Sequence, residues 1–135
     1  MIDITTIPPS PEEYNALRAS VGWPTFSTAA ARDGLKNTLF GVCIRERSRL
    51  IAYGRVVGDG AITFYIQDVI VLPGWRRRGH AQTILQRLLQ YIKNAADPGS
   101  VVGLMSAKGT EELYEKFGFV RRPFGDKMGA GMVLI

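Results

Sequence analysis

A chain of 135 residues with a formal net charge of +5, an apolar fraction of 46% and a charged fraction of 21% has the balance of one soluble globular domain, residues 1–135, with a real core. It contains no run of about 18 apolar residues, and its first residues lack the basic-then-apolar order of a secretory signal; a lone Cys43 and a lone His80 leave neither a disulfide framework nor a His-rich metal site. The expectations are therefore a cytoplasmic chain with no membrane span and no metal, whose positive charge admits either nucleic acid or a small phosphorylated ligand.

Ile2 and Ile4 alternate with polar neighbours and predict a short first strand, ended by the cluster Pro8-Pro9-Ser10-Pro11. Ser10 is the candidate cap of a helix from Pro11, in which Tyr14, Leu17, Arg18 and Val21 recur at helical spacing before Gly22 and Pro24 stop it. Ser27 or Thr28 caps a second helix through Gly34. Residues 39–46 and 50–58 predict two strands joined by a charged tip, and Gly58-Asp59-Gly60 turns the chain into a third strand over 61–72. Cys43 falls inside the first of these and is expected as a small buried hydrophobe.

The third strand runs into the most informative stretch, Val69-Ile70-Val71-Leu72-Pro73-Gly74-Trp75-Arg76-Arg77-Arg78-Gly79-His80-Ala81. It breaks at Pro73, and a basic, glycine-bearing turn then opens an amphipathic helix over 81–95, with Ile84, Leu85, Leu88, Leu89 and Ile92 on one face. First-turn N–H groups have no intrahelical acceptor and the helix dipole adds positive charge there, so a phosphate can take several donors at once. Gly79 and Ala81 let an anion approach the backbone, and Arg76, Arg77 and Arg78 suit a diphosphate with a further ribose phosphate. Arg45, Arg47 and Arg49 at the hairpin tip, and Arg121 and Arg122 near the end, fit a solvated surface.

A turn at 97–100 leads to a buried strand over 101–105, which must lie parallel to 61–72 because a full helix crosses between them. A helix over 109–117 follows, Gly118 terminates it, and 119–120 and 132–135 are expected as two last strands. The fold class is α/β: a mixed, largely antiparallel sheet flanked by four helices.

Arg76-x-x-Gly79-x-Ala81, preceded by Val71-x-Pro73, resembles the Arg/Gln-x-x-Gly-x-Gly/Ala signature of the GNAT acetyltransferases. Leu113-Tyr114-Glu115-Lys116-Phe117-Gly118-Phe119 is similar to that family's later helix, which ends in Tyr-x-x-x-Gly-Phe. The resemblance spans nearly the whole chain, whereas the acceptor-binding parts match nothing specific. It implies the GNAT acyl-CoA N-acyltransferase fold, with a splayed pair of parallel strands in a mostly antiparallel sheet. It also implies acetyl-CoA as co-substrate, and direct transfer of its acetyl group in a ternary complex to a primary amine of a small molecule or protein. Dimers are frequent in the family, so a homodimer is expected.

The resemblance also implies a site. The pantetheine arm would lie against the main chain of Val69, Ile70 and Val71, and the backbone from Arg76 through Arg77, Arg78, Gly79, His80 and Ala81 to Gln82 would hold the pyrophosphate. His80 stands where the family usually has an aliphatic residue, and its imidazole is expected in solvent or in packing. Tyr114 takes the place of the family's tyrosine acid, which protonates the departing thiolate; beside Leu113 and Phe117 it also reads as a packed aromatic. Asp68 is the best-placed carboxylate for a general base, with Tyr53, Glu111 or a water relay as competitors. Ser106 and Lys108 fall at the mouth of the other splayed strand. Trp23 and Phe26, between the first two helices, are the candidate wall of the acceptor site, with Phe64, Tyr65, Phe124 and the loop 125–131 on its other side.

Two further classes compete: a catalytically silent CoA-binding module of the same fold, and a basic nucleic-acid-binding domain. Retention of Tyr114 and of the intact glycine turn argues against the first. Aromatics without interleaved spacing, and helices without a basic stripe, argue against the second.

Overall fold

A capping box starts the first helix, α1 (Pro11–Ser20): the Ser10 hydroxyl accepts the Glu13 N–H at 3.1 Å while the Glu13 carboxylate accepts the Ser10 N–H at 2.9 Å. Pro11 occupies the first helical position, where a backbone donor has no acceptor in any case. Ser27 rather than Thr28 caps α2 (Thr28–Lys36), accepting the Ala30 N–H at 3.1 Å. The computed structural model describes all of residues 1–135, which form two compact units, Met1–Gly103 and Leu104–Ile135. No helix is long and apolar enough to cross a membrane, and no group of three or more His, Cys, Asp or Glu side chains is arranged to hold a metal ion.

The sheet order is β1 (Ile2–Thr5), β2 (Phe40–Glu46), β3 (Arg49–Gly58), β4 (Thr63–Val71), β5 (Val101–Leu104), with the first four antiparallel in sequence. Helix α3 (His80–Ala95) crosses from β4 to β5, which runs parallel to β4 and begins where the Val101 N–H donates to the Ile62 carbonyl at 2.8 Å. Arg47 and Ser48, with φ of 49° and 72°, make the two-residue turn between β2 and β3. Between β3 and β4 the Asp59 Oδ1 accepts the N–H groups of Ala61, Ile62 and Thr63 at 2.8, 2.9 and 3.1 Å, so β4 starts at Thr63, two residues later than the pattern predicts.

Ile84, Leu85, Leu88 and Ile92 of α3 are buried against β2, β3 and β4. Complete burial of each such side chain contributes about 1.5–3 kcal/mol. Helices α1 and α2 cover the other face, where Tyr14, Leu17, Ala31 and Leu35 pack with Cys43, Tyr53 and Ile70. Gly54 lets α3 approach: a Cβ there would lie 2.5 Å from Ile84 Cγ2 and 3.3 Å from Leu88 Cδ1. Phe64 is buried in the core, so its expected place beside the acceptor site is corrected.

In the second unit, α4 (Glu111–Glu115) is shorter than the expected helix. Gly118, at φ 94°, closes it, with Phe117 and Phe119 N–H groups donating back to the Tyr114 carbonyl and Gly118 N–H to that of Glu115. The strands expected at 119–120 and 132–135 do not form. Phe119 uses its donor in the helix-ending turn; beyond it Pro123 lacks a donor and Gly125, Gly129 and Gly131 weaken any ladder. The chain instead folds back locally, with Arg122 Nε donating to the Gly129 carbonyl at 2.6 Å and Phe124 bridging Met128.

Candidate active site

After β4 the chain makes a single 3-10 turn, Pro73–Trp75, and Arg76 is extended. Arg77 (φ 64°) and Gly79 (φ 80°) then take left-handed conformations that swing the backbone into α3. Gly79 is the cap of α3 and supplies no side-chain oxygen to the first turn, so the N–H groups at the helix start are left for another acceptor. Arg76, Arg77 and Arg78 are exposed and none has a carboxylate partner. Arg78 lies over the Trp75 ring, 4.7 Å from its centroid, and the half-buried His80 imidazole stands 6.4 Å from the same ring. Ala81 is half-buried and Gln82 exposed. The turn thus collects free donors, positive charge and small residues, which is what a diphosphate requires.

Asp68, expected as a base open to the acceptor, is placed otherwise. Its side chain is 0% exposed, and both carboxylate oxygens are engaged. Oδ1 accepts Arg18 Nη1 at 2.7 Å and Gln67 Nε2 at 3.4 Å; Oδ2 accepts the Tyr14 hydroxyl at 2.7 Å and Arg55 Nε at 2.8 Å. Neither oxygen keeps the room to take a proton from an amine. Burial raises the Tyr14 phenol, and its bond to Asp68 raises it further, so Tyr14 stays a donor at neutral pH. Tyr14, Arg18 and Arg55 escape a search for isolated catalytic types. Their trace in the sequence is an arginine in phase with the apolar stripe of α1, and another in the middle of an apolar strand.

Trp23 and Phe26 are gathered by Arg18. Its guanidinium carbon lies 4.7 Å from the Phe26 centroid, 5.4 Å from Trp23 and 5.8 Å from Tyr14, while Nε donates to the Pro24 carbonyl at 2.7 Å. Asn15 fastens the linker to α1, donating to the Phe26 carbonyl at 2.8 Å and accepting its N–H at 3.0 Å. Phe26 also stacks on Tyr14, at 6.4 Å and 14°, and is 46% exposed, which leaves an open aromatic surface. Of the other base candidates, Tyr53 is buried and its phenol is pushed up by desolvation. Glu111 is held below its usual range by its own backbone N–H and that of Gly109, so at neutral pH the Tyr53 phenol keeps its proton and the Glu111 carboxylate is a weak proton acceptor.

Within the second unit Tyr114 is 8% exposed and meets Phe119 edge-on at 6.1 Å. Burial raises its phenol, so it carries its proton at neutral pH. Leu113 and Phe117 are half-buried beside it in sequence; Ser106 is half-buried and Lys108 exposed in the loop before α4.

Residues 11–130 match the family model described as an acetyltransferase (GNAT) domain. Over 128 residues the chain is 30% identical to GCN5-related N-acetyltransferase 1, chloroplastic, of Arabidopsis thaliana, a match covering 92% of this chain and 61% of that protein. The chain thus spans about three fifths of that relative's length. The crystal structure of a probable acetyltransferase of unknown function from meticillin-resistant Staphylococcus aureus superposes with a TM-score of 0.91 at 34% identity, covering 100% of this chain and 99% of that one. A GNAT family protein from Streptococcus pneumoniae TIGR4 shares the fold at 24% identity, with a TM-score of 0.79 over 100% of this chain and 98% of its own.

Proposed function

The chain belongs to the GNAT acetyltransferase family, and from that premise we propose that residues 1–135 act as one catalytic domain, moving the acetyl group of acetyl-CoA to a primary amine of a small molecule or protein in a ternary complex. One observation carries the reading: Arg76–Gln82 combine a left-handed glycine, unpaired guanidiniums and a bare helix start, a set that suits the diphosphate of this substrate. Main-chain groups of Val69, Ile70 and Val71 take the pantetheine arm and polarise the thioester carbonyl.

An alkylamine with a pKa near 10.4 is only about four parts in ten thousand neutral at pH 7, so its proton must be removed before attack. Asp68 is engaged elsewhere, and water carries that proton out. Tyr114, whose phenol keeps its proton, donates it to the sulfur as the carbon–sulfur bond breaks, and regains one as the newly acylated nitrogen sheds its extra proton to give the neutral amide. Trp23 and Phe26 offer the acceptor an apolar wall.

Thiol release from acetyl-CoA, followed with a panel of alkyl, aromatic and peptidyl amines, tests the proposal. At least one amine is expected to raise release well above the rate in buffer. Tyr114→Phe is expected to lower kcat by about a hundredfold or more while acetyl-CoA affinity stays within about twofold. No release with any amine removes the enzymatic reading, and full turnover in the Phe variant removes Tyr114 from the chemistry.

A further inference from the structure

The strand that this reading assigns to the thioester changes face at Asp68. Tyr53 pairs with Ile70 and Arg55 with Gln67, so Asp68 and Val69 together oppose Gly54 alone, and Asp68 takes a φ of 59°. Such a bulge puts one residue too many into a strand and takes its backbone out of the ladder. It also turns Asp68 to the side of the sheet that carries Gln67 and α1. A left-handed residue other than glycine is strained and persists only where its surroundings over-determine it.

The surroundings here are specific. Tyr14 and Arg18 reach Asp68 from α1 and Arg55 reaches it from β3. Arg55 Nη1 also binds the Gly34 carbonyl at 3.0 Å and Thr38 Oγ1 at 3.1 Å, at the end of α2. Arg18 holds Pro24 and the Trp23 and Phe26 rings. One carboxylate is therefore the common point of the aromatic linker, both helices of that face, β3 and the bulge.

We propose that Asp68 is a positioning residue: its clamp by Tyr14, Arg18 and Arg55 sets the β4 bulge and so fixes the main chain of Val69–Val71 relative to the Trp23–Phe26 wall. The inference rests on the proposed acyl-CoA reading of β4 for its catalytic consequence, but not for the clamp itself. No proton moves through Asp68.

Two variants and one structural readout test it. Tyr14→Phe removes a single donor and keeps the ring that meets Phe26 and Tyr53. In the protein without substrate, amide hydrogen exchange at Ile70, which pairs with Tyr53 beside the bulge, and at Leu72, whose N–H donates to the Ile51 carbonyl at 2.8 Å, is expected to quicken about tenfold, while Ile84 and Leu88 of α3 keep their protection, which a uniform loss of stability would not allow. kcat is expected to fall about tenfold, with acetyl-CoA affinity within about twofold and the acid limb of the pH–rate profile unmoved. Asp68→Asn, if it folds, shows the same pattern more strongly; if it does not, Tyr14→Phe decides alone.

Exchange at Ile70 and Leu72 that is unchanged in Tyr14→Phe, or that rises only in step with α3, overturns the proposal. So does an Asp68→Asn variant that loses the acid limb with an unaltered bulge, since that marks a proton acceptor. If the wild-type chain turns over no amine, the exchange result still judges the clamp, and only the enzymatic reading fails.

Discussion

Glu13 serves two partners at once. It completes the cap of α1 and takes both terminal nitrogens of Arg45, at 2.6 and 3.0 Å. The bond to Arg45, with the Ser10 backbone assisting against the opposing cost of burial, lowers its carboxyl from 4.5 to about 2. A carboxyl lowered in the folded state stabilises above its unfolded pKa, and that contribution disappears as pH falls from about 4.5 toward 2. The pair is partly exposed, so its worth is about 1 kcal/mol or less. Replacing Arg45 by Met is expected to flatten the acid fall of the urea midpoint across this window; parallel curves for the two proteins would contradict the pairing. At this scale the sequence was legible where chemistry is local. The Ser10 cap and the burial of Cys43 follow from neighbours, whereas Tyr14, Arg18 and Arg55, which clamp Asp68, lie 13 to 54 residues away from it.

Elements meet through their smallest residues. A methyl at Gly54 would lie 2.5 Å from Ile84 Cγ2, a branch close to the helix backbone that cannot swing aside, so α3 must retreat from β3. Gly54→Ala is therefore expected to destabilise by about 1–3 kcal/mol despite alanine's better backbone propensity, as read from urea unfolding. A gain in stability would mean that α3 does not pack at this distance. Helix α3 and the β2–β4 meander were legible because their apolar periods are long and uninterrupted. The bulge was not: Phe64, Ile66, Asp68 and Ile70 are all buried at every second position, so the pattern passes through the change of face without a mark. The expected strands at 119–120 and 132–135 rested on short apolar runs, and such runs specify no partner.

For the whole molecule, net charge of +5 alone would serve nucleic acid or a phosphorylated small molecule equally well. The concentration of unpaired arginines at one strand-to-helix turn, in a chain whose residues 11–130 match an acetyltransferase domain, is the ground on which the second is proposed. The fold was legible because its elements and that turn depend on residues contiguous in sequence, and the proposed donor substrate rests on the same turn. The acceptor was not, since its candidate wall is assembled by Arg18 and Asn15 reaching across the linker between α1 and α2. Isothermal titration of the chain with acetyl-CoA, compared with S-acetylpantetheine, tests the central claim most directly. One saturable site per chain is expected, weakened by added salt and much weaker for the ligand that lacks the diphosphate. No heat at several temperatures, or equal affinity for the two thioesters, would contradict a diphosphate held at Arg76–Gln82.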